Sequence, residues 1–306
     1  MKYATRINSF LSHGESMADA LKAIGNIDGL DYVDLNYPEH FECNPVEKIK
    51  KLLHQNNLNI NAINLRFRKD YIDGIFCNYD KQIRKRAIKL CLEASEVCRQ
   101  LNGEQIIIWL GYDGFDYSFQ IDYVRAWEQI VDAFRVVCDS TDYPLSIEYK
   151  PYGERVYALL DSFGSTYTMI QEVNRPNLGM TLDVCHMLMK KENPAFAASL
   201  LLRENKLFTV HLNDGEGWDD DGLMVGSVHL WKILELYYYL KKYGYQGIIY
   251  FDTFPVREDA GAECQANLIM CRKIEKMVDK LGLDRISNVI EQNDSVAVMR
   301  MLSELL

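Results

Sequence analysis

LSIEYKP, residues 145–151, is an apolar run of strand length that stops on a charged group. Three later segments repeat the pattern: GMTLDVCH (179–186), FTVHLND (208–214) and GIIYFDT (247–253). Consecutive strands would thus end on Glu148, Asp183, His211 and Asp252. Working outward, Tyr3–Phe10, Asp31–Asn36, Ile60–Phe67 and Gln105–Leu110 precede Leu145–Lys150, Gly179–Asp183, Phe208–Asn213 and Gly247–Asp252, which makes eight strand candidates. All are short, rich in Ile, Val, Leu or aromatics, and end on polar residues. Helical patterns lie between them, such as Lys81–Gln100, Tyr123–Cys138 and Val228–Tyr243. In the first, Ile83, Ala87, Ile88, Cys91 and Ala94 fall at three- and four-residue steps. Repeated strand–helix units predict an α/β fold, a single (β/α)8 TIM barrel over residues 1–282. Residues 283–306 read as a C-terminal helical extension that could pack on a partner subunit. An open, doubly wound sheet fits less well. The first strand runs into Asn8-Ser9-Phe10-Leu11-Ser12-His13-Gly14, which has no G-x-G-x-x-G turn for a dinucleotide.

The composition agrees with one large domain. The 306 residues include 34 Lys and Arg against 44 Asp and Glu, a formal net charge of −10. That balance excludes a general nucleic-acid binder, which needs clustered cations. It suits a small-molecule enzyme or an acidic site that holds a cation. No apolar run of about 18 residues is present, so no membrane span is expected. The start, MKYATRINSF, has no apolar signal segment, so a cytoplasmic protein is expected. The 8 cysteines form no C-x-x-C pair and read as buried free thiols.

In a barrel of this kind, side chains at the C-terminal ends of the strands meet at one rim. Glu148, Asp183, His211 and Asp252 would therefore share a pocket. Three carboxylates in one pocket are unfavourable unless a cation neutralises them. Oxygen donors with one imidazole suit Mn²⁺, Mg²⁺ or Co²⁺. His186, three residues past Asp183, together with the three Asp residues of the acidic loop Trp218-Asp219-Asp220-Asp221-Gly222, could form a second cation site. Taken alone, that loop reads as a solvated turn. Lys150 shares a strand face with Glu148 by period-2 alternation and could hold a developing oxyanion. Trp109 could wall a sugar ring. His40, near Asn36 after the second strand, could reach the pocket mouth. His54 reads as solvated, His13 as a loop residue and His229 as the opening of a helix. No Gly-rich or Arg-rich phosphate cradle stands out, which favours an unphosphorylated substrate.

From about Asn64 to Asp259 the chain resembles the xylose-isomerase-like superfamily of metal-dependent barrels. Glu148-Tyr149-Lys150-Pro151 is similar to its E-x-K-P segment, in which the Glu binds metal and the Lys contacts substrate. Asp183-x-x-His186 is similar to a segment that supplies a bridging ligand and a second-metal ligand. Asp219-Asp220-Asp221 resembles a D-x-D pair of the second metal. Phe251-Asp252, with Pro255, Arg257, Glu258 and Asp259, resembles the segment around the strand-8 ligand. The resemblance implies a first site of Glu148, Asp183, His211 and Asp252, with Mn²⁺ as the leading cofactor. It implies Lys150, His186 and Asp221 as catalytic groups, and Trp109, His40, Asn36 and Arg257 as substrate contacts. Two departures stand out. Asn36 falls where xylose isomerases carry a ring-opening His, and strand 8 ends in Asp252 where the epimerases carry Glu.

The implied activity is divalent-metal-dependent aldose–ketose isomerisation of a sugar. Alternatives are a sugar epimerase and a lyase acting on a keto-sugar or 3-oxo-glycoside, by β-elimination of the dehydratase or C-glycoside-cleaving type. An abasic-site endonuclease is disfavoured by the acidic charge, and a non-catalytic sugar-binding barrel by the intact ligand set. Expected partners are a sugar or glycoside substrate and a second copy of the chain, or a small β-rich subunit like that of C-glycoside-cleaving relatives.

Overall fold

The computed structural model describes residues 1–12 and 14–306; His13 lies outside the described residues. Eight parallel strands close into a barrel: β1 (Lys2–Arg6), β2 (Tyr32–Tyr37), β3 (Asn59–Leu65), β4 (Gln105–Trp109), β5 (Leu145–Glu148), β6 (Leu178–Asp183), β7 (Leu207–Leu212) and β8 (Ile248–Phe251). Each strand pairs with its sequence neighbours, and β8 closes on β1 through Lys2↔Ile248 to Thr5↔Phe251. Helices cover the outside, among them Lys81–Gln100, Tyr123–Ser140, Leu230–Lys242 and Ala260–Leu281. The eightfold alternation read from the sequence is therefore the observed (β/α)8 barrel. Among the described residues no helix is long and apolar enough to cross a membrane. All eight thiols are free, with Cys43 exposed and the others buried.

The strands are uniformly apolar on one face only. Val33, Leu35, Ile63, Leu65, Ile106, Ile108, Ile147, Met180, Leu182, Val210 and Phe251 belong to one buried cluster that includes the helices. Alternation sends the other face inward. There the chain places Asp34, Asn61, Ser146, Thr181 and Thr209, all buried. Ser146 Oγ and Thr181 Oγ1 satisfy one another at 2.7 Å. The main core is thus the layer between sheet and helices, and the barrel interior is a polar column beneath the rim.

Most element ends shift by a residue or two from the sequence reading, and three of the shifts have clear local reasons. The first strand stops at Arg6, and Ile7–Phe10 turns into a 3₁₀ helix that still buries Ile7 and Phe10. Its apolar side chains read as strand because burial, not extension, is what they need. The third strand likewise ends at Leu65 rather than Phe67. The helix expected over Val228–Tyr243 is Leu230–Lys242, because the His229 and Val228 amides are taken by the Asp214 carboxylate. Past Gly282, at φ +79°, lie the helices Leu283–Glu291 and Ser295–Ser303. Ile286 and Met301 are buried in the same cluster as Val278 and Leu281, so the tail packs on this chain's own barrel.

Candidate metal centre and substrate cavity

The stagger of the strands brings ligands from different heights to one level. Asp183 is the register partner of His211, Glu148 pairs with Thr181 two residues short of Asp183, and Asp252 lies two residues beyond Tyr250, the partner of His211. Glu148, Asp183, His211 and Asp252 each offer one ligand atom within 4.8 Å of the others. His211 Nδ1 lies 3.0 Å from Glu148 Oε1, 3.6 Å from Asp252 Oδ2 and 3.7 Å from Asp183 Oδ2. Asn213 is buried behind them, its amide 3.4 Å from both Asp183 oxygens while its carbonyl accepts the Cys185 N–H.

The charges are unevenly shared. Burial alone would raise Glu148, but the facing His211 outweighs it and leaves this carboxyl below its ordinary value. Burial pushes Asp183 up, against His186 and with Asp220, Asp252 and Glu148 adding to the rise. Burial opposes protonation of His186, yet Asp183 and Asp220 overcome it and lift the imidazole to about 9. His211 is raised in the same way by Glu148 and Asp252. The imidazoles take up protons because the carboxylates lack another counter-charge. His186 Nδ1 is buried with no hydrogen-bond partner, 3.8 Å from both Glu148 and Asp183. A divalent cation on Glu148, Asp183, His211 and Asp252 would supply the missing counter-charge and displace the His211 proton. His186 stands outside that group, with Asp183 and Asp220. The donor set of three carboxylates and one imidazole fits Mn²⁺, Mg²⁺ or Co²⁺.

Metal affinity is accordingly expected to rise between pH 6 and 8, by roughly tenfold per pH unit for each proton displaced. Calorimetric titration in buffers of different ionisation heat would count those protons. An affinity flat with pH would contradict the electrostatic picture.

A second group shares Asp183 and adds His186 and Asp220. Asp220 Oδ2 lies 3.3 Å from His186 Nε2 and accepts a hydrogen bond from Lys150 Nζ at 2.8 Å. Burial would raise Asp220, but His186 and Lys150 hold it well below the usual carboxylate range. Lys150, in turn, is raised by Asp220 against the effect of burial and stays an ammonium. Lys150 reaches this position because Glu148 and Lys150 face inward while Tyr149 between them turns outward to donate to Glu192.

An open cavity of ≈ 310 Å³ sits above the quartet. Glu148, Lys150, His186, His211, Asp252 and Trp109 line it as the sequence predicts. Trp109 lies over Gly111, where a Cβ would come within 2.4 Å of the indole.

Other expected contacts are not brought there. Asp219 is exposed and its Oδ1 accepts the Asp220 N–H, while Asp221 Oδ2 turns back to the Glu216 N–H at 2.7 Å. The second group is therefore completed by Asp220, not by Asp219 and Asp221, and the catalytic position expected for Asp221 is filled by its neighbour. His40 is turned inward by the short 3₁₀ helix Glu39–Phe41, and its Nδ1 accepts the Asn36 N–H at 2.9 Å. Burial lowers its imidazole to about 4, so it is a neutral structural group. Asn36 is buried, with its amide directed to Asn8 and Glu39. Arg257 is exposed in the loop after β8, outside the cavity lining.

Residues the sequence reading missed include Phe254, Tyr250 and the pair Arg6 and Arg66, all lining the cavity. The inward alternation Lys2, Ala4, Arg6 on β1 was the available signal for Arg6. Asp34 was also missed. It is buried inside the barrel and receives Asn61 Nδ2 at 2.8 Å and Asn64 Nδ2 at 3.3 Å.

Comparison with known proteins agrees with this architecture. The chain is 25% identical over 243 residues to a xylose isomerase from Thermus thermophilus, covering 76% of this chain and 63% of that protein. It is 27% identical over 166 residues to a probable sugar isomerase from Mesorhizobium japonicum, covering 53% of this chain and 38% of that one. It therefore spans less than two thirds of the length of either relative. Among solved structures, a D-tagatose 3-epimerase-like protein superposes with TM-score 0.73 at 18% identity, over 91% of this chain and 100% of the other. A D-allulose 3-epimerase from Methylomonas sp. gives 0.72 at 17%, over 90% and 98%. The IOLI protein, solved with a bound zinc atom, gives 0.69 at 16%, over 90% and 98%. The family model described as xylose isomerase-like TIM barrel matches residues 18–273, and the chain belongs to that family.

Proposed function

We propose that this chain is a divalent-metal-dependent sugar isomerase that interconverts an aldose and its ketose. The observation that carries the reading is the quartet of Glu148, Asp183, His211 and Asp252 at the floor of an open cavity, with Lys150 beside it. A divalent ion held by these four residues would polarise the substrate carbonyl and acidify the neighbouring carbinol. Lys150, kept cationic by Asp220, would hold the oxygen that becomes anionic. Asp220 has a second oxygen, Oδ1, that is buried without a partner, and it stands between Lys150 and His186. The interconversion moves one hydrogen from the carbinol carbon to the carbonyl carbon and the hydroxyl proton from one substrate oxygen to the other. Asp220 would keep His186, lifted to about 9, protonated and placed to pass that second proton. Trp109 and Phe254 would wall the carbon chain and exclude water. Because the Lys150 ammonium sits on Asp220, one ion rather than two is the expected stoichiometry.

The test is a panel of aldoses and ketoses, neutral, carboxylated and phosphorylated, with protein stripped by chelator and reloaded with Mn²⁺, Mg²⁺ or Co²⁺. Interconversion is expected only after reloading, at one ion per chain. Absence of turnover on every sugar by the loaded protein would overturn the proposal. Lys150→Met should retain its metal yet lose about 10²–10³-fold in kcat, as expected for loss of one donor to a developing oxyanion. An unchanged kcat would remove Lys150 from the chemistry. The single-ion arrangement also favours a second reading, epimerisation at the carbon next to a ketone, which needs the same acidified C–H. The product distinguishes them: a new aldose or ketose for isomerisation, a stereoisomer of the same ketose for epimerisation.

A further inference from the structure

The cavity holds more positive charge than a neutral sugar requires. Arg6 ends β1, Arg66 follows β3, and both line the cavity. β1 and β3 flank β2, on the side of the barrel away from β5 and β6. Arg6 therefore faces Glu148 and Lys150 from across the barrel, and Arg66 stands two strands from β5. Among the described residues neither has a carboxylate within ion-pair distance, whereas Lys150 is committed to Asp220 at 2.8 Å. Arg6 is fixed in orientation: its guanidinium lies 4.5 Å from the centre of the Phe254 ring. Stacking on that face leaves the N–H edge directed outward for an acceptor. Both line the same cavity as Tyr250.

A part-buried cation without a partner is unfavourable unless something completes it. Without a cation, the two arginines offset the carboxylates at a distance, as Arg66 does for Glu148. A divalent ion on the quartet would take over that task. Arg6 and Arg66 would then face the cavity with no carboxylate of their own.

We infer that the substrate carries one anionic oxygen group, a carboxylate or a phosphate, at the end of a short polyhydroxy chain, and that Arg6 and Arg66 bind it. Planar N–H edges match such groups in paired hydrogen bonds, which a hydroxyl cannot return. The anion would be anchored on the β1–β3 wall while the other end of the molecule lies over the quartet and Lys150. This rests on the reading of the cavity as a sugar site, and it narrows the class to sugar acids and sugar phosphates. The sequence favoured an unphosphorylated substrate because no Gly-rich or Arg-rich cradle stands out along it; the barrel brings Arg6 and Arg66 from two strands to one cavity.

The experiment is calorimetric binding of D-glucuronate, D-glucose 6-phosphate and D-glucose to the full chain loaded with Mn²⁺. At least one anion should bind tenfold or more tighter than D-glucose, and the tighter anion identifies the group. Arg6→Gln and Arg66→Gln should each cut that preference at least threefold with metal content unchanged. Arg6→Lys and Arg66→Lys should keep part of it, since charge remains and the paired geometry is lost. Equal affinity for D-glucose and both anions, or a preference that survives both glutamine substitutions, would overturn the inference. Turnover of neutral aldoses without anion preference would sink this inference alone. Anion preference without any sugar interconversion would sink the isomerase reading and leave the arginine site standing.

Discussion

Asp183→Asn is expected to lose about 10³-fold in Mn²⁺ affinity while the metal-free protein becomes more stable at pH 8. The first effect follows from charge. A unit charge at about 4 Å is worth about 4 kcal/mol near a protein surface, which corresponds to that factor. Asp183 belongs to both ligand groups, so no other single carboxylate replaces it. The second effect follows from crowding. Burial, with Asp220, Asp252 and Glu148, raises the folded-state Asp183 carboxyl to about 7. A carboxyl raised on folding stabilises the fold fully only below its unfolded value, near 4, and the contribution is lost as pH rises through 7. Asparagine removes that loss and keeps the acceptor for the His186 N–H, which Asp183 Oδ1 now receives at 2.9 Å. Metal titration and thermal melting in chelator at pH 5 and pH 8 check both parts. A variant that binds Mn²⁺ normally, or that melts lower at pH 8, would contradict the account of the site.

Asp34→Asn tests the polar column below the cavity. Burial, against the help of His211, Asn61 and Asn64, pushes Asp34 up to about 7. The sign is the same as for Asp183: stability is lost as pH rises from about 4 to about 7. The span corresponds to about 4 kcal/mol. The substitution should therefore leave the metal-free chain near wild type at pH 4 to 5 and stabilise it by about 4 kcal/mol at pH 8. Asparagine also meets acceptors already present, because the Oδ1 atoms of Asn61 and Asn64 are buried without partners. Denaturant unfolding at the two pH values measures the difference. Equal stability gaps at both would show that Asp34 is ionised throughout.

Much of this was legible in the sequence because strand ends are punctuated. A short apolar run that stops on Glu148, Asp183, His211 or Asp252 fixes both the element and the direction of its last side chain. Lys150 followed from the same alternation. Loops have no such period. Nothing in Asp219-Asp220-Asp221 says which carboxylate faces inward, and the hydrogen bonds to Glu216 and Asp220 decide it. The inward turn of His40 onto the Asn36 N–H comes from the 3₁₀ helix Glu39–Phe41, which has no signature in the sequence. Arg6 escaped because the first strand read as running on to Phe10, which put its rim four residues too far along.

One rim feature bears on how such a site can change over evolutionary time. The segment Gly114–Phe115 pairs antiparallel with Tyr157–Ala158, Arg155 bridges to Asp116, and Asp113 accepts the amides of Ile75, Phe76 and Cys77. The loops after β3, β4 and β5 are thereby laced into one unit, the unit that carries Trp109 and Lys150. Among the described residues no strand pair joins the loop after β8, which carries Phe254, to the segment after β1, where Ser9 Oγ donates to the Thr253 carbonyl. Inheritance can therefore treat the two halves differently. Drift in the laced half disturbs several loops together and is selected against, while the other half can be rewritten residue by residue. New substrate preferences would accumulate there first, leaving the chemistry across the cavity intact.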